Sequence, residues 1–290
     1  MEPQEKRRLL VFAVLVVLFD AVMAVWYGLT GQSNVLVACM FTPMLSVILT
    51  RLVTGEGTRD LYLAPRFRGQ VRWYLAAWFA TPLLVYAGAL LYFVVFPQDF
   101  APMGSVLAAQ LEAAAPAEYA AALAQLIPLA VLVNPLTGLA QAFGEEFAWR
   151  GYLLPKLTKV LSPVRAVLAT GVIWGLWHAP FVAMGYNYGA GHPAANVAAM
   201  VVFCVFVGSI EGFLFLRTGS VWPAALFHAA LNGIGLWAPA DLLMSRPANA
   251  FLGPNPVGLL GGAGLIAAGC LCLWRLARLP QIAAAAKPQN

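Results

Sequence analysis

Charge is what this sequence has least of. Its 290 residues include 17 Lys and Arg and 12 Asp and Glu, 10% in all, where a soluble domain carries about 25%. Hydrophobic residues make up 61%, the mean hydropathy is +0.78, and no polar stretch is long enough to fold by itself. A soluble globular domain is thereby excluded, and residues 1–290 read as a single membrane domain. Cysteine is scarce as well. Cys39, Cys204, Cys270 and Cys272 all lie in apolar stretches and are expected to be free packing thiols, the last two being too close on a helix to face each other. Two catalytic signatures are missing: the His-Glu-x2-His helix of zinc peptidases and the Gly-x-Ser-x-Gly elbow of serine hydrolases. Ser209 and Cys204 have no histidine at a suggestive spacing, so a serine or cysteine nucleophile is disfavoured and water is the expected one. No internal repeat stands out.

What the sequence has in quantity is apolar runs near the roughly 20 residues that cross a hydrocarbon core. They fall at 9–29, 34–53, 73–96, 121–149, 164–184, 195–216, 220–238 and 256–275. At this length in lipid only helices satisfy the backbone, so the expected fold is an all-α integral membrane bundle of about eight transmembrane helices. The first run follows Lys6, Arg7 and Arg8, as in a signal peptide. It is too long for that and lacks a small-x-small cleavage site, so it is expected to remain as a span.

Placing the N-terminus inside puts every basic residue but Arg246 in an inner segment, which predicts a multi-pass cell-membrane protein with both termini cytoplasmic. The net charge of +5 sits in short juxtamembrane loops, which favours the anionic lipid bilayer over nucleic acid as its partner. Residues 101–125, rich in Ala with Glu112 and Glu118, read as an external surface helix. Pro65, Arg66, Arg68 and Gly69 mark an inner loop, and 279–290 reads as a disordered tail.

The informative residues are the polar ones in lipid, where a mid-helix charge costs about 2.5–3.5 kcal/mol even on lenient insertion scales. Glu145 and Glu146 stand in Phe143-Gly144-Glu145-Glu146-Phe147-Ala148-Trp149-Arg150. Helical spacing lets Glu146 pair with Arg150 at i, i+4. Glu145, about 100° away around the helix, is left without a partner on its own helix. The bland reading is a juxtamembrane cluster solvated by headgroups. His178 precedes Ala179-Pro180, and Pro180 cannot satisfy the Leu176 carbonyl, so a kink beside the histidine is expected. A lone histidine there is more often a packing residue. His228 and Asn232 share one helix face at i, i+4, for which interhelical hydrogen bonding is the ordinary role. Glu211, six residues before Arg217, is expected to snorkel or to pair with it. Asp20 has no visible partner.

Taken in order, Glu145-Glu146-x3-Arg150, the Trp-rich segment ending in His178, and His228-x3-Asn232 resemble the CPBP family, the CAAX-protease and bacteriocin-processing group that includes type II prenyl endopeptidases. The resemblance covers about residues 120–240, the expected catalytic core, and implies an eight-helix intramembrane endopeptidase. It implies that Glu145 and His178 activate a water and that His228 and Asn232 stabilise the oxyanion, near the cytoplasmic face. Glu146 and Arg150 would hold the helix register. A buried Glu can serve as a base, and Asn and His can donate to developing negative charge.

A metal is left open. The expectation is none required, or a divalent ion such as zinc held by His178, His228 and Glu145, since two histidines and a carboxylate can fill a zinc sphere. The substrate is expected to be a prenylated CAAX tail or another membrane-embedded or lipidated peptide. Two rival readings remain: a proton-coupled transporter, which predicts broken segments in two inverted halves, and a catalytically inactive binding or immunity protein on the same fold.

Overall fold

The computed structural model describes residues 1–235 and 237–278; Leu236 and the segment 279–290, where the sequence suggests disorder, lie outside the described residues. The first part of the chain forms α1 (Pro3–Thr30), α2 (Ser33–Cys39), α3 (Thr42–Thr54) and α4 (Val71–Val95). The middle contains α5 (Val106–Gln110), α6 (Pro116–Leu132), α7 (Asn134–Thr137), α8 (Leu139–Ala148), a π-helical turn at Trp149–Leu153 and α9 (Leu154–Thr158). Then come α10 (Pro163–Trp177), α11 (Ala179–Ala183), α12 (Pro193–Thr218), α13 (Trp222–Gly235), α14 (Pro239–Leu243) and α15 (Ala263–Arg278).

Five helical segments are long and apolar enough to span a bilayer: Pro3–Thr30, Ser33–Thr54, Val71–Val95, Pro116–Thr137 and Pro193–Thr218. The chain is an all-α multi-pass membrane protein, but eight uninterrupted spans are not found among the described residues. The expected run 121–149 starts earlier and breaks. Helix α6 begins at Pro116, so the end of the Ala-rich segment forms the first turns of a span, not a separate surface helix. The break at Val133 precedes Asn134-Pro135, where proline restricts the residue before it and lacks an N–H. The run 164–184 likewise divides at His178, two residues before Pro180. Apolar composition marks what lipid tolerates; proline decides where the chain bends.

Close helix approach positions the site. Helix α10 carries Gly171 and Gly175, and α12 carries Gly208 and Gly212, each pair one turn apart. A Cβ on Gly175 would lie 2.6 Å from Val201 Cα, and one on Gly171 would lie 2.9 Å from Val205 Cα. Small residues thus let these two backbones meet, as they do in other membrane bundles. A Cβ on Gly144 would come within 2.6 Å of the Met40 carbonyl oxygen, so α8 is pressed against the break between α2 and α3.

Each end of the bundle has its own polar clamp. At one end Tyr92 Oη donates to Asp99 Oδ2 at 2.6 Å, and Arg246 pairs with the same carboxyl. The Tyr92 hydrogen bond and the Arg246 guanidinium hold the Asp99 carboxyl below its ordinary range. At the other end Lys156 Nζ bonds Glu5 Oε2 at 2.9 Å and also reaches Glu56. Tyr152 Oη donates to Glu56 Oε2 at 2.9 Å. This second clamp ties the N-terminus of α1 to the segment that carries the two-Glu motif.

Candidate active site

Glu145 and Glu146 face different partners, as their helical offset requires. Arg150 Nη1 donates to Glu146 Oε1 at 2.6 Å, the i, i+4 pair expected from the sequence. The same guanidinium contacts Glu211 Oε2 on α12 through Nη2 at 2.5 Å. Glu146, Glu211 and Arg150 are at most 1% exposed, and the guanidinium lies over the Trp174 ring, 4.5 Å from its centroid. Glu211 therefore neither snorkels nor pairs with Arg217, which is exposed. Gly208, one turn before Glu211, makes this approach possible, since a Cβ there would sit 2.8 Å from Arg150 Nη2.

His228 stands between the two adjacent carboxylates. Its Nδ1 is 3.0 Å from Glu146 Oε1, and its Nε2 is 4.0 Å from Glu145 Oε1. A carboxylate accepts, so Nδ1 carries hydrogen and Nε2 points toward Glu145. Glu145 is itself 2% exposed and held by one oxygen, with Trp174 Nε1 donating to Oε2 at 2.7 Å. Trp174, which sequence reasoning did not single out, thus touches Glu145, Arg150, His178 and His228. Only the richness of the Trp174-Gly175-Leu176-Trp177 segment hinted at it.

His178 is half-buried, and its Nδ1 lies 2.9 Å from the Trp174 carbonyl oxygen. A carbonyl can only accept, so Nδ1–H donates and Nε2 keeps its lone pair. The kink is where the sequence put it, but the carbonyl beside the imidazole belongs to Trp174, not Leu176. His178 and Glu145 share Trp174 as a common support, one through its backbone and the other through its indole. Asn232 lies one turn beyond His228 on α13; its side chain is exposed and makes no hydrogen bond to the described residues.

Two further groupings bear on the chemistry. Cys204, 26 residues from His178 and dismissed on spacing, has its Sγ 3.9 Å from His178 Nδ1. It is fully buried and also contacts Met200 Sδ at 3.6 Å. With Nδ1–H given to the Trp174 carbonyl, the ring has no lone pair there to take a thiol proton, so a Cys–His dyad is not formed. The carboxylate and imidazole groups closest to a metal-binding arrangement are Glu146, Glu211 and His228, with ligand atoms within 4.8 Å of one another. They are not the Glu145, His178 and His228 set expected from the sequence. The Arg150 guanidinium already joins both of those carboxylates, in the place a divalent cation would take, so this donor set does not fit a resident metal. Asp20, 8% exposed with an unpartnered Oδ1, is not explained by anything in the structure.

Glu146, Arg150 and Glu211 form a closed charged cluster, and His228 links it to Glu145. His178 is half-buried and Asn232 exposed, and no contact among the described residues joins either side chain to Glu145. Residues 125–234 match the family described as Type II CAAX prenyl endopeptidase Rce1-like. No curated protein matches the chain.

Proposed function

We propose that this chain, whose residues 125–234 match the type II CAAX prenyl endopeptidase Rce1-like family, is a CAAX-type intramembrane protease of the CPBP family that cleaves a peptide bond with a water activated by Glu145 and His178. The observation that carries this reading is the division between two neighbouring carboxylates. Glu146 is locked to Arg150 and His228. Glu145 accepts a hydrogen bond through Oε2, while Oε1 accepts none and lies 4.0 Å from His228 Nε2.

In the proposed reaction, Glu145 Oε1 and His178 Nε2 accept hydrogen bonds from one water, and Glu145 takes its proton as the oxygen attacks the scissile carbonyl carbon. The carbonyl π pair moves onto oxygen. His228 Nε2–H and the Asn232 amide N–H donate to that oxyanion, which requires His228 to act as an imidazolium with its Nδ1–H on Glu146. Collapse re-forms the carbonyl, breaks the C–N bond and passes the proton from Glu145 to the departing amine. The products are a carboxylate and an amine. Trp174 holds both water-activating groups in place, as its contacts to Glu145 and His178 require.

The substrate class follows from the setting. The groups lie within a bilayer-spanning bundle, so the scissile segment is membrane-embedded or lipidated, a prenylated tail being one such substrate. The site belongs on the cytoplasmic side, because the motif segment is clamped to the basic end through Lys156, Glu5 and Glu56. Cysteines placed at Gln4 and Gly57 should be protected from an impermeant reagent outside the cell while one at Gln98 labels; external labelling at 57 overturns this orientation. The transporter reading needs a second polar site in an inverted half. Beyond this cluster, Asp20 is the one acidic group placed mid-span among the described residues.

The function is tested by comparing membrane-derived peptides from cells carrying the wild-type chain or Glu145→Gln. Products that depend on Glu145 are expected, and their sequence and lipidation would give the substrate class. Identical peptide pools, with both proteins inserted at equal levels, would contradict the assignment.

A further inference from the structure

On the basic end of the bundle, apart from the catalytic groups, α4, α12 and α15 enclose a cleft of about 390 Å³. Arg72, Arg217, Arg275 and Arg278 line it, with Trp73, Trp274 and the buried Phe213 as apolar walls. The volume lies within the range of small-molecule sites, about 300–1,000 Å³.

The four guanidinium groups are not neutralised by the protein. Among the described residues no carboxylate forms an ion pair with any of them, and the sequence 279–290 contains no Asp or Glu. The contrast lies on the same end of the molecule, where Arg8, Lys156 and Lys159 are all paired with Glu5 or Glu56. Helix dipoles account for part of the cluster, since Arg217, Arg275 and Arg278 sit in the last turns of α12 and α15, where cations are favoured. They do not account for Arg72. It lies in the first turn of α4, where the dipole opposes a positive charge, and it adds to the repulsion among the other three.

The walls narrow the ligand further. Arg278 is stacked 3.9 Å above the Trp274 ring, and Arg72 lies 5.1 Å over Trp73. Both guanidinium planes are thus held by aromatic groups at the depth where tryptophan marks the headgroup layer. One turn deeper into the bilayer the helices present Leu75 and Leu271, about half exposed at 52% and 50%. The cleft therefore offers positive charge between aromatic walls at the interface, continuous with bare apolar surface below it.

We propose that this cleft binds the phosphodiester headgroup of an anionic phospholipid, its acyl chains lying along α4 and α15. The ligand is a lipid and not a soluble anion, because two aromatic walls and the exposed leucines would gain nothing from free phosphate. Basic pockets between membrane helices serve this purpose elsewhere.

The purified full chain in neutral detergent is titrated with phosphatidylglycerol, phosphatidylcholine or inorganic phosphate, with retained lipid read by native mass spectrometry and stability by thermal melting. Phosphatidylglycerol is expected to be retained at saturating stoichiometry and to raise Tm by mass action, while the other two do neither. Removal of each arginine should weaken retention roughly five-fold, so Arg275→Gln with Arg278→Gln should weaken it by about 25-fold. The corresponding double lysine variant, which keeps the charge, should stay within a few-fold of wild type and shows that the helix end tolerates substitution. Arg59→Gln with Arg68→Gln removes equal charge from the neighbouring loop and should leave retention unchanged. Equal retention of the two lipids, an equal Tm shift from inorganic phosphate, wild-type retention in the double glutamine variant, or an equal loss in the loop variant would each overturn the proposal.

Discussion

Two places in this molecule use the same device, one cation bridging carboxylates from two different elements, and they carry different weight. In the core of the bundle Arg150 joins Glu146, one turn before it, to Glu211 of α12. At the basic end Lys156 joins Glu5 of α1 to Glu56 of the loop after α3. Each cation also lies over an aromatic ring, Arg150 over Trp174 and Lys156 over Tyr152, at 4.5 Å in both cases. The side chains of the first set are at most 1% exposed, whereas those of the second are 7–16% exposed. Water and headgroups can replace a lost partner at the interface, and nothing can in the core. The planar guanidinium also serves two carboxylates at once, while the lysine ammonium is a flexible point charge. Burial, more than the chemistry of the pair, decides what each cluster is worth.

Three substitutions sharpen this contrast. Arg150→Met leaves two buried carboxylates without their cation and should remove about 3–5 kcal/mol of stability, read as a large fall in Tm or as failure to accumulate folded protein. A variant that melts like wild type would mean that the core cluster is not structural. Asn232→Ala removes the proposed oxyanion donor one turn beyond His228 on α13. Loss of one oxyanion donor should lower kcat by about 10² to 10³ at nearly constant KM, with Tm unchanged because Asn232 has no hydrogen bond to lose. A matching fall in stability would reassign Asn232 to packing. Lys156→Gln should show the smallest effect, about 1 kcal/mol. Added salt should close the gap between this variant and wild type by screening the interfacial pairs; a salt-independent gap would put Lys156 in the class of Arg150.

The membrane character and the three motifs were legible in the sequence, because charge is so rare that each intramembrane charge stands out. The Glu146–Arg150 pair was legible too, being a local i, i+4 contact. What could not be read were contacts between helices. Glu211 reaches Arg150 across α12 only because Gly208 has no side chain, and its sequence neighbour Arg217 suggested a local partner that it does not use. Trp174 was not singled out, since nothing local shows that its indole faces a carboxylate on another helix. Cys204 and His178 meet through the glycine-lined contact of α10 with α12. The breaks at Val133 and His178 had their signals in Pro135 and Pro180, and apolar continuity outweighed the first of these.

The central claim is that adjacent Glu145 and Glu146 do different work, one chemical and one structural. The direct measurement is turnover and thermal stability on Glu145→Gln and Glu146→Gln side by side. Glu145→Gln should keep the wild-type Tm and lose about 10² to 10⁴ in turnover, as expected when a general base is removed. Glu146→Gln should lose stability first, because it breaks a buried network with Arg150 and His228. Glu145→Gln retaining more than about a tenth of wild-type turnover, or the two variants falling equally in Tm, would contradict the account.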